Sequence, residues 1–174
     1  DIQCFVLTSH HVSDDPLDRF VKSLNIEVFR GSLENVLDRY ESFVKSYHFS
    51  QVVRISADSP ILHPEIISKM LNIETQSKCD IITNVFPRTF PKGQSVEIIR
   101  SESLNKIKTY SLLKSHREHV TSFIYENPQT FQIFNYFNSR DFSDFNMCVD
   151  YPKDLIRLDQ ILGELDISLS NGLP

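Results

Sequence analysis

A chain of 174 residues with 40% hydrophobic and 24% charged side chains has the size and balance of one compact domain with a sizeable core. Its formal charge of -5, with no Lys/Arg cluster, argues against a nucleic-acid polymer as partner, because phosphate neutralisation needs a basic surface. No apolar run approaches the roughly 20 residues that span a bilayer, and the start, "DIQCFVLTSHH", lacks the basic region and cleavage site of a secretory signal; no membrane association and a cytoplasmic location are the expectation.

In chain order, an apolar run at Ile2–Thr8 predicts a first strand, and His10 and His11 fall in the loop after it, with no chemistry assigned. "DDPLDRFVKSL" then sets Pro16 at a first helical turn, with Leu17, Phe20, Val21 and Leu24 on one face. A strand at Glu27–Phe29 leads to a helix from Ser32, in which Leu33, Val36, Leu37, Tyr40, Phe43 and Val44 recur at helical spacing. Further strands are predicted at Gln51–Ile55, Asp80–Val85, Ser95–Arg100, Phe131–Phe134 and Asn146–Val149. Pro64 and Pro152 open two more helices. Helices between successive strands predict an α/β layered domain, its sheet mainly parallel and covered by helices on both faces. Phe20, Leu37, Val53, Ile55, Ile81 and Val149 are expected in the core. Cys4, Cys79 and Cys148 are odd in number and far apart, so buried, unpaired thiols are expected rather than a disulfide framework or a zinc spacing.

In open α/β sheets the ligand crevice lies beyond the carboxyl ends of the strands. Asp58 follows the strand in "VVRISADSP", and Asp150 follows the run at Asn146–Val149. Singly, each reads equally well as a turn or cap residue. Together they suit a hard divalent cation, since Mg²⁺ takes one or two protein carboxylates and completes its shell with phosphate oxygens and water.

The segments "DDPLDRF", "IEVFRGSLENVLDRY", "VVRISADSPILHPEII", "ITNVFPRTFPKGQSVEII", "SHREHVTSFIYENP" and "VDYPKDL" come in the order seen in bacterial cytidylyltransferases. The chain resembles the spore-coat-polysaccharide type, related to the synthetases of CMP-activated 3-deoxy sugar acids, over nearly its whole length. The resemblance implies a three-layer, Rossmann-like nucleotide-diphospho-sugar transferase fold. It also implies that Asp58 and Asp150 are the catalytic acids holding Mg²⁺. Arg88, in a loop stiffened by Pro87 and Pro91, offers a bidentate fork for a sugar carboxylate, or is simply solvated; Lys92 accompanies it. Asn84 either meets a sugar hydroxyl or satisfies turn backbone. Glu97, Arg117 and His119 match further family positions, although Ser115 and Glu118 also stand at capping-box spacing before an apolar helix.

Ala57 and Ser95 depart from the family, which has Gly and Asp there. The family's first strand and basic phosphate loop, of the form G-x-x-x-x-R-L-P-x-K, are not in the sequence, so the single domain over residues 1–174 is expected to lack about forty preceding residues, the size of a strand-loop-helix unit. The resemblance thus implies an enzyme that joins a sugar or sugar acid to CMP from CTP, releasing pyrophosphate. Related enzymes are often homodimers, and this chain alone is expected to be inactive. Two alternatives stay open: a non-catalytic sugar-nucleotide-binding or assembly module, and a metal-dependent glycosyltransferase. The latter normally carries Asp-x-Asp, where "SADSP" has one acid.

Overall fold

The computed structural model describes residues 2–74, 78–110 and 112–164. The strand β1 (Phe5–Ser9) is followed by a short 3-10 turn at Val12–Asp14, the helix α1 (Asp15–Ser23) and the strand β2 (Glu27–Gly31). β1 and β2 pair in parallel, Leu7 opposite Phe29, and make a two-stranded sheet. The helix α2 (Val36–Tyr47) leads to β3 (Gln51–Arg54), α3 (Pro64–Glu74), β4 (Ile81–Thr83), β5 (Glu97–Arg100), α4 (Ser101–Lys108), α5 (Lys114–Glu118), α6 (Ser122–Glu126), β6 (Ile133–Asn135) and α7 (Pro152–Glu164). The second sheet has the order β3, β5, β4, β6.

Strand directions follow from the hydrogen bonds at the ends. Ser101, just past β5, donates its amide to the carbonyl of Ser50, just before β3, at 2.9 Å, and Arg100 donates to Asp80, just before β4, at 3.2 Å. β5 therefore runs against both neighbours. β6 runs with β4, because Asp80 bonds Gln132 at one end (2.8 Å) and Tyr136 bonds Thr83 at the other (2.7 Å). The fold is α/β, with one reversed strand in its larger sheet.

The chain divides into two compact units. The first gathers the described residues within Asp1–Val52, Lys78–Ile81 and Ile99–Ile133; the second those within Val53–Ser77, Ile82–Ile98 and Phe134–Pro174. The first has a continuous apolar core of Leu37, Phe43, Val44, Val52, Ile81, Ile99, Leu104, Ile107, Val120, Phe123, Ile124 and Phe131, with Phe5, Leu7 and Phe29 packed on it. In the loop after β1, Asp14 Oδ2 accepts from Thr8 Oγ1 (2.6 Å), the Ser9 amide (2.9 Å) and Ser9 Oγ (2.6 Å). These bonds, Ser9 first, hold the Asp14 carboxyl well below the usual carboxylate range. Arg30 pairs with Asp15 at 2.7 Å and donates to the carbonyls of Ser9 (2.7 Å) and His11 (2.9 Å). His11 joins the 3-10 turn through Ser13, which is a capping role.

Several expectations need correction. The run at Asn146–Val149 forms no strand: among the described residues it makes an isolated parallel bridge from Asn146 to Lys92. α2 begins at Val36, because Asn35 Oδ1 takes the Asp38 amide at 3.0 Å, while Ser32 Oγ serves the turn before it by accepting from the Asn35 amide. Phe20 is 62% exposed and Val21 is the buried residue of α1. The helix lies on β2, and a two-stranded sheet, about 5 Å between strands, cannot cover a whole apolar face. Leu37 and Ile81 are core, but Ile55 lies past the end of β3 and is 48% exposed, and Val53 and Val149 are half-buried. The three cysteines are free as expected, yet Cys4 is exposed and Cys79 and Cys148 are only half-buried. Among the described residues no helix is long and apolar enough to cross a membrane.

Candidate active site

The second unit brings the two acids onto adjoining segments. After β3 the chain turns at Ser56–Ser59, with the Ser59 amide on the Ser56 carbonyl at 3.3 Å. Asp58 lies within this turn, so the bland reading of its local structure is correct as far as it goes. Its main-chain carbonyl, however, accepts the amide of Val149 at 2.8 Å. Asp58 and Asp150 are thereby carried on backbone segments in direct contact, and both side chains are exposed. Asp58 Oδ1 accepts from Ser59 Oγ at 2.9 Å, and no ion pair to either acid occurs among the described residues.

Cys148 reports the electrostatics of the place. Burial pushes its thiol up, and the Asp58 and Asp150 carboxylates push it further; a hydrogen bond with Ser59 and the Arg88 guanidinium pull it back. One side chain thus senses both acids and the arginine.

Arg88 is half-buried. Its Nη1 donates to Ser95 Oγ at 3.0 Å and weakly to the Pro91 carbonyl at 3.4 Å. Its partner is therefore a neutral hydroxyl, where an aspartate would have cancelled its charge. Lys92 has an exposed side chain, while its backbone clasps the Asp150 segment: its amide donates to Phe145 at 2.9 Å and its carbonyl accepts from Met147 at 2.8 Å. Gly93 makes that approach possible. It has φ +89°, and a Cβ there would lie 2.7 Å from the Met147 carbonyl carbon, so only glycine fits without strain.

Two predicted contacts are buried supports in this geometry. Asn84 is fully buried; its Nδ2 donates to the Gln94 carbonyl (2.7 Å) and its Oδ1 accepts from the Val96 amide (2.9 Å), the turn-satisfying alternative. Glu97 is 3% exposed and forms an ion pair with Arg54. Sequence reasoning passed over Gln94, which is 6% exposed and holds the loop beyond Asp58: its Oε1 accepts from the His63 amide (2.9 Å) and its Nε2 donates to the Ile61 carbonyl (2.8 Å). Its place between Gly93 and Ser95 was the available signal.

Arg117 and His119 belong to the first unit. Arg117 is exposed and lines a cavity of about 370 Å³ with Asn35, Asp38 and Lys108. His119 is exposed, and its backbone ends α5 by donating to Ser115 at 2.8 Å. The expected Ser115/Glu118 capping box does not form, since the helix starts one residue earlier. His116 caps it instead: Nδ1 accepts the Leu113 amide at 3.2 Å, and Nε2 then carries the proton toward Glu126 Oε2 at 2.8 Å.

The donor set suits a hard cation. Asp58 and Asp150 are exposed on adjoining backbone segments, and two carboxylates are what Mg²⁺ takes when water and phosphate oxygens complete its shell; among the described residues no group of three or more His, Cys, Asp or Glu could hold a metal ion.

The family model described as cytidylyltransferase matches residues 2–167. The chain belongs to the cytidylyltransferase family. It is 33% identical over 129 residues to an uncharacterized protein of Methanocaldococcus jannaschii and 27% identical over 129 residues to the spore coat polysaccharide biosynthesis protein SpsF of Bacillus subtilis, in each case with 74% of this chain and 52% of the relative covered. The chain thus spans about half the length of the curated relatives it matches. Among solved structures, a cytidylyltransferase from Leptospira borgpetersenii superposes with a TM-score of 0.83 at 26% identity, over 98% of this chain and 79% of that one. A CMP:2-keto-3-deoxy-manno-octonic acid synthetase complexed with CTP shares the fold, with a TM-score of 0.69 at 10% identity over 94% of this chain and 82% of that one.

Proposed function

We propose that the protein transfers a cytidylyl group from CTP to a hydroxyl of a sugar or sugar acid, giving a CMP-sugar and pyrophosphate. The acceptor oxygen bonds to the α-phosphorus as the bond to the leaving pyrophosphate breaks, and such transfers depend on positioning and charge stabilisation. Asp58 and Asp150 would hold Mg²⁺, which would neutralise phosphate charge when bound. Arg88, with its charge left uncancelled by Ser95, binds and orients an anionic group of the acceptor through its fork. Lys92 adds a second cation on the same loop. Asn84 and Glu97 act behind them by fixing the loop backbone and the strand, and Arg117 and His119 are assigned to substrate on their match to the family pattern.

The observation that carries this reading is the bond from the Val149 amide to the Asp58 carbonyl, 2.8 Å, because it brings together the backbone segments of two acids 92 positions apart in sequence. Family membership supports the nucleotide, and the complex of the synthetase with CTP supports it through a shared fold. The test is pyrophosphate release by the complete protein with each of the four ribonucleoside triphosphates and a panel of sugars and sugar acids. Mg²⁺-dependent release with CTP and an acidic sugar is the expected result; release with another triphosphate, or with none, overturns the assignment.

A further inference from the structure

The segment that carries Asp150 belongs to neither sheet, so its polar backbone groups need other partners. In an extended chain these groups alternate in direction. On one side the Phe145 carbonyl and Met147 amide are taken by Lys92, and the Val149 amide by Asp58. On the other side no strand pairs with the segment among the described residues. There Arg157, reaching back from α7, donates Nη1 to the Asn146 carbonyl and Nη2 to the Cys148 carbonyl at 3.4 Å, while the Cys148 amide closes on Asn146 Oδ1 at 2.8 Å. The two carbonyls lie two residues apart, as on a strand edge, and a planar guanidinium with several fixed donors can serve both. A lysine ammonium carries its three donors on one nitrogen and lacks the planar fork that spans both carbonyls. One turn earlier on the same helix, Asp154 Oδ2 accepts the amides of Asp150 (3.2 Å) and Tyr151 (2.9 Å), and Arg157 lies 3.7 Å from its other oxygen. α7 therefore grips the chain before and after Val149, the carbonyls of Asn146 and Cys148 through Arg157 and the amides of Asp150 and Tyr151 through Asp154.

We infer that Arg157 is a positioning residue for the proposed cation site: it serves the carbonyls a strand neighbour would serve and sets the register and direction in which Asp150 is presented on the segment beside Asp58. This rests on the reading of Asp58 and Asp150 as cation ligands. Groups that orient a ligand from behind typically contribute 10- to 100-fold to metal affinity or activity. Arg157 is only half-buried on a helix surface, so its loss should be felt at Asp150 more than in the core.

The experiment uses the complete protein as wild type, Arg157→Met, Arg157→Lys and Asp150→Asn. Mn²⁺ binding in the presence of CTP is followed by electron paramagnetic resonance, and thermal unfolding is followed without metal. Arg157→Met should weaken Mn²⁺ binding roughly tenfold or more, with the melting temperature within a few degrees of wild type, and Arg157→Lys should restore only part of the affinity. If Asp150→Asn abolishes Mn²⁺ binding while Arg157→Met leaves it unchanged, the positioning role is wrong although the cation site stands. If Asp150→Asn also binds as wild type, the site itself falls and the inference with it. Should Arg157→Met fail to fold, Arg157→Lys decides alone: a folded protein of unaltered Mn²⁺ affinity overturns the inference, and a weakened one supports it.

Discussion

Around Phe43 the chain is held by rings and aliphatic side chains, whereas around Asp58 and Asp150 it is held by single hydrogen bonds to loop backbone. In the first unit Phe5, Phe29, Phe43, Tyr47 and Phe49 meet with centroids between 4.7 and 6.4 Å, and each such pair adds roughly 0.5–1.5 kcal/mol beyond its area. In the second unit Asn84, Gln94, Lys92 and Arg157 each fix one or two backbone groups, and Gly93 leaves room for the close approach. Apolar packing is non-directional and sums over area, so it suits a platform. Hydrogen bonds are directional and modest in net worth, and so suit loops that hold side chains in set directions. Disturbing the first region should cost stability, and disturbing the second should cost function.

The largest expected effect on folding lies in the first region. Leu37→Ala, at a site 1% exposed, should destabilise by about 2–5 kcal/mol, read as a lower urea midpoint, while turnover per folded molecule is retained. An equal loss of turnover would blur the division between platform and site. Gly93→Ala comes next, because a methyl at φ +89° meets the Met147 backbone at 2.7 Å. A cost of about 1–3 kcal/mol is expected, together with a fall in activity out of proportion to the fraction unfolded.

Ser95→Asp should leave the melting temperature nearly unchanged. By pairing Arg88 it should raise KM for an anionic acceptor about tenfold, roughly 1.4 kcal/mol, with a much smaller effect on a neutral one. An equal effect on both would remove Arg88 from acceptor recognition. The smallest effect is at Asp14. A carboxylate held below its usual range in the folded state contributes stability above the unfolded value near pH 4 and loses it as the pH falls toward the folded value. Asp14→Asn should therefore lower the urea midpoint at pH 7 and converge with wild type in increasingly acid solution; a constant difference down to pH 2 would assign the effect to shape rather than charge.

Much of this comparison could be read from the sequence, for physical reasons that differ by element. Pro16, Pro64 and Pro152 mark helix starts because a first turn tolerates the missing amide, and all three helices begin there or one residue before. Ile81–Thr83 is wholly buried, as a continuous apolar run between covered faces should be. The meeting of the Asp58 and Asp150 segments followed from strand-end logic, although only one of the two segments proved to be a strand. That miss has a cause: Asn146–Val149 has a strand's composition, but a guanidinium from α7 serves the carbonyls a neighbouring strand would serve, and periodicity does not see a long-range side-chain partner. Phe20 and Ile55 were misread because helical or strand spacing says which residues share a face, not how much neighbour is present to cover it. Asn84 was legible as an alternative, since an amide at a strand end has both a donor and an acceptor for turn backbone.

The most direct test of two acids in one site is a double-mutant cycle in the complete protein, with Asp58→Asn, Asp150→Asn and both together assayed for CTP-dependent pyrophosphate release and for thermal stability. Each single change should lower turnover by roughly 100-fold or more, with little change in melting temperature because both side chains are exposed. The double variant should be scarcely worse than either single one, as expected of groups acting as a unit. Full activity in either single variant, or losses that simply multiply, would contradict a shared site and return Asp58 to being part of a turn.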